Sequence, residues 1–226
     1  MRGSSLALQN RRELLSVWRT FTILGLAALA GCALLGFVSP PLKHAPWPWI
    51  VLPVLALVAE FLPVELVRRG VRVTFTLPFV AGVAFAVGPL AAVATDVLVT
   101  LVAGYTLVRR RRSVSAPLWL GVNAFVGALS ASIGGLAKVG YQSAFGEGKI
   151  EATAACIVFM LGYGIVNFLL VTFLDWRSSG RSWSENLSAT IKLSAQSFVL
   201  YTLVGMAVVV LALDGYYAVI PLTLVP

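Results

Sequence analysis

Four polar residues lie inside long apolar runs of this chain: Glu60, Asp96, Asn123 and Asn167. A carboxylate taken out of water costs several kcal/mol unless it is paired or protonated, so ionisable residues at such positions are candidates for function by default. Asp96 lies deepest, within the run 90–108. It is expected to face the interior of a bundle or a wet cavity. Glu60 closes an earlier run, in the motif Glu60-Phe61-Leu62-Pro63-Val64-Glu65. One reading has Glu60, Asp96, Asn123 and Asn167 lining a polar ligand site near the middle of the bundle. A plainer one pairs Glu60 and Glu65 with Arg68, Arg69 or Arg72 near a membrane surface and makes Asn123 a hydrogen-bonding residue between helices. The residues alone do not decide whether Glu60 and Asp96 share a cavity.

Catalytic chemistry has less to stand on. No nucleophile and base fall at helical spacing, and no His/Cys/carboxylate cluster offers a metal site, so the reading is of a non-enzyme without cofactors. The single histidine, His44, sits in a Pro-rich loop without partners. Cys32 and Cys156 fall inside apolar runs as small packing residues. Leu29-Ala30-Gly31-Cys32 has the form of a bacterial lipobox, but the run stays apolar through Val38, where a lipoprotein turns polar. An uncleaved anchor fits better.

The elements that position these residues follow from composition. With 59% hydrophobic and 12% charged residues and a mean hydropathy of +0.91, the chain is an integral membrane protein. We expect an all-α polytopic bundle of about seven or eight spans. Residues 1–19 form a basic leader, and 20–226 a single transmembrane bundle domain that is truncated or continues into a cytoplasmic output domain. The expected spans are 20–38, 50–62 with Pro53 in its first turn, 75–88, 90–108, 118–136, 152–174 and 195–213, with an eighth beginning at 216. The stretch 75–88 gives only about 21 Å of helix, short for a span. The alternating segment 71–77 before it is expected to be strand-like, and either it dips into the membrane or the bilayer thins locally. Gly88-Pro89 and Gly146-Glu147-Gly148 read as turns. Residues 138–151 read as an external loop and 178–192 as a short interfacial helix. Gly127, Ala131 and Gly135, with Ala124, Ala128 and Ser132, form the small-residue stripes on which membrane helices approach closely.

Of the 17 lysines and arginines, all but Lys43, Lys138 and Lys149 fall on one side of this arrangement. The bias includes Arg68, Arg69, Arg72, Arg109, Arg110, Arg111 and Arg112. It places the N-terminus in the cytoplasm. The net charge of +8 reads as topology and contact with anionic lipid. With no basic helix or aromatic platform outside the apolar runs, nucleic acid is not expected as a partner.

Several marks together resemble the bacterial membrane-associated sensor domain MASE9, over about residues 50–215. They are Glu60-Phe61-Leu62-Pro63-Val64, the segment Val71-Arg72-Val73-Thr74-Phe75-Thr76, the Gly-Pro turn, the arginine cluster, Val122-Asn123-Ala124-Phe125, and Val166-Asn167-Phe168-Leu169-Leu170-Val171. The resemblance implies a sensory input domain, usually joined to a cytoplasmic domain that makes or degrades cyclic di-GMP. Neither catalytic signature of such a domain occurs here. A small ligand and a second copy of the chain are expected partners. The competing reading is a small-molecule transporter or its substrate-binding subunit.

Overall fold

The computed structural model describes residues 2–39, 46–61, 64–66, 71–73, 76–110, 116–179, 182–216 and 219–224. The elements are α1 (Arg2–Val38), α2 (Pro46–Phe61), β1 (Val64–Leu66), β2 (Val71–Val73), α3 (Thr76–Ala86), α4 (Pro89–Arg110), α5 (Ala116–Phe145), α6 (Lys149–Ser179) and α7 (Trp183–Leu213), followed by a 3₁₀ turn at Ile220–Leu224. Among the described residues, four helical stretches are long and apolar enough to cross a bilayer: Val17–Val38, Pro89–Thr106, Leu118–Phe145 and Lys149–Arg177. Trp47–Phe61, Thr76–Ala86 and Ser197–Leu213 are apolar but shorter. The chain is a helical bundle of membrane type.

α3 sits at its centre. Apart from half-buried Leu77, its residues are buried, as a helix apolar on every face must be. α2, α4 and α7 enclose it. Gly88 turns the chain with a positive φ of 150°, a conformation glycine adopts without a Cβ penalty. Pro89 then opens α4 at the position where a missing N–H costs nothing. Because α3 has 11 residues and α4 has 22, α3 runs about 16 Å from this turn and α4 about 33 Å. The start of α3 therefore lies beside the middle of α4. The chain between α2 and α3 holds a small antiparallel ribbon in which Glu65 stands opposite Arg72, the strand-like character read from the alternation.

Several expected boundaries move. The basic leader is helical and continuous with the first span in α1. α5 runs on to Phe145, so Lys138 belongs to a helix and not to an external loop; the loop shrinks to the Gly146–Gly148 turn. No separate interfacial helix precedes the last span, because α7 is unbroken from Trp183. Pro53 lies two turns inside α2 and not in its first. The expected eighth span begins instead as the 3₁₀ turn, where Ile220 is buried.

α7 starts where it does because Ser182 and Glu185 form a reciprocal capping box. The Ser182 hydroxyl accepts from the Glu185 N–H at 3.3 Å, and the Ser182 N–H donates to the Glu185 carboxylate at 3.1 Å. Ser182→Ala is expected to destabilise this end by about 1 kcal/mol, read as faster amide exchange confined to the first turns of α7.

The small-residue stripes do what their spacing implies. A Cβ on Gly135 would meet Pro89 and Leu35, and one on Gly31 would meet Ser132. α5 thus seats α4 on one side and α1 on another. A further contact lay outside the stripes: Gly134 faces Phe159 of α6.

Candidate functional site

Asp96 is buried at 4% exposure, about 10 Å along α4 from the Gly88 turn. The Tyr163 hydroxyl of α6 donates to its Oδ2 at 3.1 Å, and Asn167 Nδ2 donates to the Tyr163 oxygen at 3.4 Å. Tyr163 and Asn167 are four residues apart and so share one face of α6. Both donors point the same way along the chain, toward the carboxylate. This is the arrangement that solvates a charge without a cation. Among the described residues, Tyr163 is the one hydrogen-bond partner of Asp96.

α5 approaches Asp96 through a notch. A Cβ added at Gly127 would lie 2.6 Å from Asp96 Oδ2 and 3.7 Å from Thr100 Oγ1. Gly127→Ala is therefore expected to push the carboxylate off Tyr163 and to destabilise the bundle by about 1–3 kcal/mol, measured by thermal unfolding in detergent.

Glu60 is half-buried. The Thr76 hydroxyl donates to Glu60 Oε2 at 2.6 Å and lies 3.5 Å from the Ala56 carbonyl. This ties the last turn of α2 to the first turn of α3. The carboxylate thus sits at a helix N-terminus, where the macrodipole favours negative charge. The arginines that the plainer reading pairs with Glu60 lie outside the described residues or are described in backbone only. Glu60 is within electrostatic range of Asp96, Tyr163 and Tyr201. Glu60, Asp96 and Asn167 therefore belong to one polar region.

Asn123 does not join it. Its side chain is exposed, while the neighbours that pack α5, Val122 and Ala124, are buried. Among the described residues no hydrogen bond joins Asn123 to another helix. Arg68, Arg69, Arg111 and Arg112 lie outside the described residues, as does His44; Arg72, Arg109 and Arg110 are described in backbone only. Cys32 lies within α1, 3.6 Å from Ser132 Oγ of α5.

Three contributors were not singled out by sequence reasoning. Tyr163 was legible only as the residue one turn before Asn167. Thr76 looked like part of the strand pattern. Lys138 is buried at 5% exposure. Its ammonium donates to the Ala84 carbonyl at 2.8 Å and lies 4.6 Å over the Phe85 ring. It serves the carbonyls left over at the end of α3 and adds a cation–π contact. At the same end, Lys149 and Asp214 pair at 2.7 Å, joining the start of α6 to the end of α7. Among the described residues, no group of three or more His, Cys, Asp or Glu side chains is placed to hold a metal ion. The arrangement can hold charge or a proton in an apolar interior, and it links the ends of two short helices to the middle of two long ones. No known family, curated protein or solved structure matches the chain.

Proposed function

We propose that the chain is a sensory module of a bacterial inner membrane, the input half of a cyclic di-GMP-type signalling protein, with its N-terminus in the cytoplasm. On this reading α1 to α7 are all membrane-embedded, with α2 and α3 as short inserts among full spans. The arginines of residues 1–19, 68–72 and 109–112 lie on the cytoplasmic side against anionic lipid. The observation that carries the reading is the Asp96–Tyr163–Asn167 chain. It is a buried polar contact between two long helices of a largely apolar bundle, the kind of contact whose making or breaking selects between two packings. The resemblance to MASE9 supplies the expected output.

A second reading has its own support. α2 and α3 end midway with Glu60 at the break, as discontinuous helices do around the substrate sites of transporters. The two readings separate by reading the coding frame past Pro226. An in-frame cytoplasmic signalling domain supports the sensor. A stop codon there overturns the fused-sensor reading, and uptake into liposomes that is lost in Asp96→Asn would then establish the transporter.

A further inference from the structure

We propose that Asp96 is a proton-exchange site served from the arginine-bearing end of the bundle, and that gain or loss of its proton reverses the hydrogen bonds joining α4 to α6. This deepens the sensory reading by naming the stimulus as a proton, and it rests on that reading only for what happens downstream.

Polar side chains lead from Asp96 toward the arginine-bearing end. Thr100 lies one turn along α4 toward Arg110, and Asn167 lies one turn along α6 toward Arg177; both are half-buried. Glu60 and Thr76, which hold the adjoining ends of α2 and α3 together, extend the polar region. In the opposite direction α4 presents Ala91, Ala92 and Val93, and α3 presents Val80, Val83 and Ala84, all buried. The buried polar side chains there are Thr95 of α4 and Ser130 and Ser132 of α5, and both serine hydroxyls are committed to carbonyls of their own helix. The approach richer in free polar groups is therefore the one from the arginine-bearing end. Transport needs access from both sides. A sensor of one compartment needs it from one.

The groups facing Asp96 leave it little else to respond to. From α2 it is within range of Glu60. α3 carries no titratable side chain. α5 offers Gly127, and Lys138 on that helix lies about 16 Å farther along. α6 offers Tyr163 and Asn167. Between Thr20 and Val38, α1 has Cys32 as its one titratable group, and that meets Ser132. α7 brings Tyr201 within range of Glu60.

The exchange balances without any other reactant. With Asp96 ionised, the Tyr163 O–H donates to the carboxylate and Asn167 donates to the Tyr163 oxygen. A proton delivered from water converts the carboxyl to a donor. The Tyr163 oxygen then accepts from Asp96, its own hydrogen turns away, and Asn167 must rotate its amide to present the carbonyl oxygen. Gly127 leaves no room for Asp96 to swing toward α5, so the change is confined to the α4–α6 contact.

The test uses the full chain in liposomes and infrared difference spectra between acid and alkaline buffer. Wild type is expected to show the carbonyl stretch of one titrating protonated carboxyl, absent in Asp96→Asn and retained in Glu60→Gln. Asp96→Glu, which keeps the group should the amide variant misfold, is expected to keep a band with an altered midpoint. Tyr163→Phe removes a hydrogen bond to the charged form and is expected to move the midpoint about tenfold or more in proton concentration. Amide exchange in α4 and α6 is expected to differ between the two buffers in wild type and not in Asp96→Asn. A carboxyl band that survives Asp96→Asn, no titrating band at all, or a midpoint indifferent to Tyr163→Phe overturns the proposal. So does wild-type exchange that is the same in both buffers. These spectra are independent of any output: a stop codon after Pro226 ends the fused-sensor reading alone, and a missing band ends the proton site alone.

Discussion

Leucine in place of Gly134 is expected to cost the bundle about 3 kcal/mol or more, beyond the usual range for an overpacked site. The reason is what the new side chain meets. A Cβ at Gly134 would lie 2.9 Å from the backbone carbonyl oxygen of Phe159 and 3.2 Å from its ring. A ring can turn, but a carbonyl inside α6 moves only if the helix moves. α6 has no slack on this side, since Gly162 packs its own Cα region against Gly134, where a Cβ would have 3.3 Å. The control is Gly140→Leu, six residues on in the same helix, where nothing lies within 4 Å. There the better helix propensity of leucine is expected to stabilise by a fraction of about 1 kcal/mol. Denaturant unfolding in one detergent, run on both variants, reads the difference. Similar midpoints for the two would show that α5 and α6 are not held in this close contact.

Gly134 also marks how far the sequence could be read. The class of the protein, its long helices and the stripes of α5 followed from composition and spacing, because close helix contacts in a membrane demand small residues at intervals of four. The contact at Gly134 falls outside both stripes, and only the crossing of α5 with α6 identifies it. Glu60 was only partly legible for a related reason. An apolar run ending in a carboxylate and followed by arginines has the same sequence pattern whatever the carboxylate meets. That α3 brings Thr76 to it is a tertiary fact. Lys138 was misread because a lysine after an apolar run normally marks water. Here the run continues past it, and the orphan carbonyls of α3 provide a buried partner. Asn123 shows the reverse error: an amide in an apolar helix suggests a bond to a neighbouring helix, yet α5 turns it outward.

The two carboxylates are expected to separate cleanly by substitution. Glu60 lies at the N-terminus of α3 and holds Thr76. In Glu60→Gln an oxygen remains to accept from Thr76 while the charge that complements the helix dipole is lost. The expected cost is about 0.3–1 kcal/mol, with more where the site is well buried. Asp96→Asn preserves shape, and the new amide oxygen still accepts from Tyr163. Removing a buried charge that lacks a cation costs little and can stabilise, so the thermal midpoint is expected to hold or rise. The response behaves in the opposite way. Asp96→Asn cannot exchange a proton and is expected to abolish the difference in α4 and α6 amide exchange between acid and alkaline buffer, whereas Glu60→Gln keeps it. Two measurements on two variants therefore give a crossed pattern, with stability following Glu60 and response following Asp96. A pair of variants alike in both would reduce the polar region to a structural join between helices. The crossed result instead makes Glu60 the fixed support and Asp96 the moving part, which is what a bundle needs if one contact is to change while its short inserted helices stay in place.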